Sequence, residues 1–85
     1  MDGKEIKELK DTIDGMNSSD YKERFKAEYQ QMVIRYQKLV AILDKCDKGE
    51  LILTCPRSTY NMQIRVMTDY IAVLEARAVM EGVIL

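Results

Sequence analysis

The stretch DYKERFKAEYQQMVIRYQKLVAILDKC, residues 20–46, carries the pattern that decides the fold. Its large apolar side chains recur at alternating spacings of four and three, which is typical of a helix that packs against a partner helix. The members of this seam are Phe25, Tyr29, Met32, Tyr36, Leu39 and Leu43. Asp20, with Glu23 three residues later, resembles a capping box and marks the start of the helix. The sequence therefore predicts a long helix from Asp20 to about Cys46.

A second stretch with the same period follows after a short connection. Gly49 is the expected break after the first helix, and Pro56 fits the first turn of the next one, where its missing N–H costs nothing. The same spacing then joins Tyr60, Ile64, Met67, Ile71, Leu74 and Ala78, and the pattern ends near Gly82. Two helices of similar length with a short connection predict an antiparallel hairpin.

A shorter amphipathic pattern precedes the hairpin. Residues 3–14 place Ile6, Leu9 and Ile13 on one helical face, with Gly15 as the expected C-terminal stop. We therefore expect a single all-α domain over residues 1–85. Its parts are a short amphipathic helix and linker (1–19), a helical hairpin (20–82) and a C-terminal tail (83–85).

A second apolar stripe lies outside the hairpin seam. It is formed on the second long helix by Val66, Tyr70, Val73 and Met80, and it continues on the first with Val33, Val40 and Ile42. Exposed together, these side chains form an apolar patch larger than a soluble monomer normally tolerates. We therefore expect other copies of the chain, together with the short first helix, to cover it, in a homo-oligomer larger than a dimer.

Composition and charge exclude several classes of function. The net charge is −1 and the bases form no continuous stripe, which argues against double-stranded nucleic acid and against a membrane surface. Two cysteines without any histidine are too few ligands for a zinc site. The chain has no Gly-rich phosphate loop and no nucleophile with an evident base. We expect a cytoplasmic binding protein that is not an enzyme and uses no metal or cofactor.

Polar side chains border the apolar seam on both long helices. They are Arg24, Glu28, Gln31, Arg35 and Lys38 on the first helix, and Gln63, Tyr70 and Arg77 on the second. One interpretation is a solvated border with long aliphatic stems and pairs such as Arg24 with Glu28. The other is a polar pocket at a subunit boundary, because guanidinium groups bind phosphate and aromatic rings stack on bases. The spacing alone leaves both open.

Two stretches resemble a known family. They are DYKERFKAEYQQMVIRYQKLVAIL (20–43) and MQIRVMTDYIAVLEARA (62–78), and together they resemble the phage anti-CBASS and anti-Thoeris helical-hairpin signal sponges. The positions that carry the resemblance are Tyr21, Arg24, Phe25, Glu28, Arg35, Lys38, Leu39, Gln63, Met67, Tyr70, Leu74 and Arg77. The resemblance covers about residues 20–78.

The resemblance implies a phage protein that binds cyclic nucleotide second messengers, or cyclic ADP-ribose signals, in the infected bacterial cell without degrading them. Members assemble as compact oligomers, typically hexamers, with pockets between chains. By this resemblance Tyr21 would stack on a base, and Arg35 or Lys38 would meet a phosphate. Arg24 and Arg77 would brace the interface or contact a second ligand. The interface itself would include Glu28, Gln63, Val66, Tyr70 and Val73.

Three predictions remain open. Arg77 is expected either to pair with Glu28 across the interface or to hold a second phosphate, and the pairing is favoured because a buried guanidinium needs a counter-charge. The chain is alternatively a small helical assembly protein without a small-molecule ligand. A third alternative is a regulator that binds nucleic acid or a host enzyme.

Overall fold

The computed structural model describes residues 5–85 and consists of a short N-terminal helical segment followed by two long helices. A 3₁₀ turn at Leu9–Thr12 leads into α1 (Ile13–Met16), and the long helices are α2 (Tyr21–Asp47) and α3 (Arg57–Glu81). The start of α2 is hydrogen-bonded to the end of α3, Tyr21 to Glu81, and the end of α2 to the start of α3, Asp47 to Arg57. The two helices therefore run antiparallel, which confirms the predicted all-α hairpin.

Local signals set the ends of both long helices. The Asp20 carboxylate accepts a hydrogen bond from the Lys22 N–H (2.9 Å) and caps α2. Gly82, at φ 70°, ends α3 in the left-handed region, where glycine is favoured. Both ends lie where the sequence predicts them.

Two details of these ends differ from the prediction. Glu23 does not complete a capping box, because the Asp20 N–H donates to Ser18 Oγ (3.0 Å) and Glu23 pairs with Lys26 (3.3 Å). Pro56 lies just before the first turn of α3 and not inside it, because its ψ of 145° is extended and the helix begins at Arg57.

The hairpin core is made from the predicted seam. Phe25, Leu74 and Ala78 are buried together, and Tyr29 packs against them. Val83 joins this cluster at 6% exposure, although the sequence placed it in a C-terminal tail. Its backbone N–H donates to the Ala78 carbonyl (2.8 Å), which turns the chain back onto the core after Gly82.

The N-terminal segment differs most from its prediction. Residues 3 and 4 lie outside the described range, and helix begins only at Leu9. The Asp11 carboxylate accepts hydrogen bonds from the N–H groups of Lys7 (3.0 Å) and Glu8 (2.9 Å), which holds these residues outside the helix. Thr12 is buried at 1% exposure, whereas Ile13, which the sequence places on the apolar face, is 51% exposed.

Gly15 is not the predicted helix stop, because it lies within α1 and contacts α2. A Cβ atom placed on Gly15 would lie 3.1 Å from the Ala27 Cβ atom, so glycine permits this close approach. Within residues 5–85 the 3₁₀ turn and α1 pack on α2, and their backbones do not approach α3 closely. Ile6 and Lys7 line a cavity with Val33, and Leu9 lines another with Ile42, so the segment lies beside α2 members of the second stripe. Its predicted cover of the stripe does not extend to Val66, Val73 and Met80 on α3, which are exposed.

The second stripe is open to solvent along α3. Val66, Val73 and Met80 are 58%, 56% and 76% exposed, and Tyr70 is 39% exposed. On α2, Val40 and Ile42 are also exposed. None of the helices in residues 5–85 combines the length and the apolar character that crossing a membrane requires.

Candidate functional site

One side of the hairpin carries a row of polar residues at every seventh position. The row consists of Tyr21, Glu28 and Arg35 on α2, and Gln63, Tyr70 and Arg77 on α3. Seven residues are nearly two helical turns, so each set of three lies along one side of its helix. Because the helices are antiparallel, the first member on α2 faces the last member on α3. We call these six residues the polar row.

The open end of the hairpin holds the first pair of the row. The Tyr21 hydroxyl donates to Glu81 Oε1 (2.6 Å) and accepts from Arg77 Nη2 (2.9 Å), while Arg77 Nε donates to Glu81 Oε2 (3.0 Å). The Arg77 guanidinium also lies over the Phe25 ring, 4.8 Å from its centroid. Tyr21, Arg77 and Glu81 thus form a closed cluster that joins the two helices.

This cluster gives Arg77 a counter-charge within its own chain, whereas its pairing with Glu28 across an interface between chains stays a prediction. Glu81 lies one helical turn beyond Arg77 on the same helix and provides the counter-charge within the chain. Hydrogen bonds from Tyr21 and Arg77 lower the pKa of Glu81, and the bond to Glu81 raises the pKa of Tyr21 above 10.0. At neutral pH the tyrosine is therefore protonated and the carboxylate ionised, so the charge of Arg77 is already balanced.

The middle pair of the polar row, Glu28 and Tyr70, is also hydrogen-bonded within the chain. The Tyr70 hydroxyl donates to Glu28 Oε2, and this bond raises the pKa of Tyr70. Glu28 and Tyr70 were both predicted as interface residues, and the structure places them in contact with each other. Val66 and Val73, the apolar members of that prediction, are exposed on α3.

The third pair of the row lies in an open groove. Arg35 and Gln63 line a cavity of about 270 Å³ together with Lys38, and the other lining side chains are Leu9, Leu39, Ile42 and Met67. Arg35 is exposed and has no hydrogen bond or ion pair to any of residues 5–85. Lys38 Nζ lies 3.0 Å from Glu8 Oε1. We call this cavity the Arg35 groove.

The structure divides the five predicted ligand residues into separate groups. Tyr21 and Arg77 belong to the closed cluster, and Arg35 and Lys38 line the Arg35 groove. Arg24 belongs to neither, because its Nη1 donates to the Ser18 carbonyl (2.9 Å) and holds the linker before α2. Tyr21 and Arg35 are fourteen residues apart on one helix, which is roughly 21 Å, so one small ligand does not reach both in the same chain.

Sequence reasoning missed the acidic partners of these residues. Glu81 completes the closed cluster, Glu8 pairs with Lys38, and Glu75 accepts a hydrogen bond from Tyr29 (2.7 Å). For Glu81 a signal exists, since it follows Arg77 at the i,i+4 spacing of helical ion pairs. Glu8 lies thirty residues from Lys38, and no local pattern connects them.

Comparison with known families identifies the hairpin. A family model described as Sequestin matches residues 19–80, well over half of the 85 residues, and this range holds the whole polar row and Lys38. Comparison with curated proteins and with solved structures finds no match. The match confirms the resemblance to a signal-sequestering family that residues 20–78 predict, and the family name describes sequestration. The chain belongs to the Sequestin family of sequestering proteins.

Proposed function

We propose that this protein binds a cyclic nucleotide second messenger and holds it without degrading it. The observation that carries the proposal is the Arg35 groove, in which a guanidinium without a hydrogen bond or ion pair to any of residues 5–85 lies beside Lys38 and Gln63. The Sequestin family supports the sequestering role, and the groove supports the ligand class.

The chemistry of the groove suits a phosphate with an attached nucleoside. The planar guanidinium of Arg35 donates two parallel hydrogen bonds to a phosphate, and the Lys38 ammonium adds a second positive charge. The Gln63 amide both donates and accepts, as the hydroxyl groups of ribose and the edges of bases require. Leu39 and Met67 provide an apolar surface for the flat face of the sugar or base.

Assembly would complete the site. The groove of one chain is open, and Tyr21 at the distant end of the hairpin is 47% exposed. We propose that the exposed stripe on α3 joins copies of the chain in a closed oligomer. In this arrangement Tyr21 of a second copy stacks on the base of a nucleotide whose phosphate is bound by Arg35 and Lys38.

The proposed setting is the cytoplasm of an infected bacterial cell. A phage protein that removes free messenger there would prevent the host from activating its defence effectors. Cyclic ADP-ribose products are the alternative ligands, because they also present phosphate oxygens and a purine. The exposed stripe on α3 favours a second candidate, a helical assembly protein that binds no small molecule.

A thermal-shift panel separates these candidates. Cyclic dinucleotides, cyclic trinucleotides and cyclic ADP-ribose isomers are each added to the full chain at high concentration. A ligand at one hundred times its Kd adds about 2.7 kcal/mol to the stability of the folded state, so one class should raise the Tm by several degrees. An assembly protein would show no shift with any of them.

Replacing Arg35 with alanine is expected to weaken binding of the best ligand by about 1–3 kcal/mol, roughly 5- to 150-fold in Kd. The reason is the loss of the charge-assisted hydrogen bonds to phosphate. Isothermal titration calorimetry measures the effect, and the oligomer should remain intact because Arg35 lies outside the α3 stripe.

Arg65→Ala is the matched control for Arg35→Ala. Arg65 is exposed on α3 and has no hydrogen bond or ion pair to the rest of residues 5–85, but it does not line the Arg35 groove. Its removal changes the net charge by the same amount and should leave Kd unchanged. Equal losses in both variants would mean that general electrostatic attraction, and not the groove, binds the ligand.

A further inference from the structure

The N-terminal segment reaches the Arg35 groove and changes its charge. Leu9 lines the groove, and the preceding residue, Glu8, holds Lys38 in an ion pair of 3.0 Å. The segment lies outside residues 19–80, the range that the family model matches. It therefore adds an acidic group to a groove whose other polar members come from the hairpin.

The charges of the groove sum to a small positive value. Arg35 and Lys38 contribute two positive charges and Glu8 one negative charge, which leaves one. A phosphodiester carries one negative charge, whereas a terminal phosphate carries between 1.5 and 2 at pH 7, on the order seen for phosphorylated side chains. The net positive charge of the groove therefore matches the negative charge of one phosphodiester.

We infer that Glu8 is a specificity-determining residue that makes the Arg35 groove select phosphodiesters over terminal phosphates. Any phosphate that reaches Lys38 must displace the Glu8 carboxylate or lie beside it. The repulsion from Glu8 is larger for a terminal phosphate than for a phosphodiester, because the terminal phosphate carries more negative charge. A cyclic nucleotide contains only phosphodiesters, while its linear form with a 5′-phosphate also contains a terminal phosphate. Glu8 thereby favours the intact messenger over its hydrolysed product. This inference rests on the proposed function.

The exposure of the ion pair between Glu8 and Lys38 sets the size of the expected selectivity. The side chains of Lys38 and Glu8 are 54% and 55% exposed, so water and salt screen the contact. Exposed ion pairs of this kind correspond to differences of about two- to fivefold in an equilibrium constant. The selectivity should weaken as the salt concentration rises.

The test compares Glu8→Gln with the parent protein on paired ligands. The probes are cyclic dinucleotides and trinucleotides of adenosine and guanosine, each with the linear 5′-phosphorylated form that opening one phosphodiester produces. Calorimetry at low salt gives Kd for both forms. In Glu8→Gln the preference for the cyclic form should fall about two- to fivefold, because the linear form gains affinity.

Glu5→Gln is the matched control, with the same charge change in the same segment. Glu5 pairs with Lys7 (3.5 Å), and neither Glu5 nor Lys7 lines the Arg35 groove. The ratio of the Kd for the linear form to the Kd for the cyclic form should be the same in Glu5→Gln as in the parent. An unchanged ratio in folded Glu8→Gln, or an equal fall in Glu5→Gln, overturns the role of Glu8 and leaves sequestration standing. Failure of the parent to bind any of the probes overturns the proposed function and this inference together.

Discussion

Leu74→Ala is expected to lower the free energy of unfolding by about 2–5 kcal/mol, as large-to-small changes in a packed core do. Leu74 is 1% exposed and lies in the cluster of Phe25, Ala78 and Val83 that closes the open end of the hairpin. A chain of this size gains only ~3–5 kcal/mol from a single core, so the variant should be largely unfolded. Urea denaturation followed by circular dichroism measures the change.

Val79→Ala is the control for this prediction. Val79 lies on the same helix and is 83% exposed, so its truncation should change stability by no more than about 0.5 kcal/mol. If Leu74→Ala and Val79→Ala destabilise equally, the seam of α3 has been placed on the wrong face.

Val73→Asp is expected to abolish both assembly and ligand binding. Val73 is 56% exposed in the centre of the α3 stripe, where the proposed contact between chains would bury an unpaired carboxylate. The hairpin should keep its helical content, because Val73 lies outside the core seam. Light scattering should find the variant near the 9.9 kDa of one chain. Binding should be lost with assembly, because each pocket needs two copies.

Val79→Asp is the control for this prediction, because it shows whether the position of the new carboxylate, and not its charge alone, causes the loss of assembly. It introduces the same side chain on the same helix at a position outside the stripe, and it should assemble and bind as the parent does. A parent protein that is a stable monomer at micromolar concentration would contradict the proposed assembly. A Val73→Asp variant that stays oligomeric would show that the contact lies elsewhere.

The two long helices could be predicted because their signals are local. The four-three spacing from Phe25 to Leu43 identifies a buried face, and Asp20 and Gly82 satisfy backbone groups at the helix ends. The N-terminal segment has only a short pattern of this kind, and local hydrogen bonds and tertiary packing override it. There the Asp11 carboxylate competes for the N–H groups of Lys7 and Glu8, and tertiary packing on α2 buries Thr12 instead of Ile13.

The candidate site shows a similar division. The seven-residue period identifies the members of the polar row, because period is a property of each helix alone. Their partners depend on the register between α2 and α3, which the connection at residues 48–56 sets. That register brings Tyr21 to Glu81 and Tyr70 to Glu28, and it leaves Arg35 unpaired within residues 5–85. A period cannot predict which of several similar residues becomes paired.

Recovery of the bound ligand tests the central proposal most directly. The protein is mixed with the cyclic nucleotide that stabilises it most, unbound ligand is removed by filtration, and the complex is heated until the protein denatures. Chromatography should then return the cyclic nucleotide chemically intact, in proportion to the protein present. Recovery of a linear hydrolysis product in its place would show that the protein degrades its ligand and would contradict sequestration.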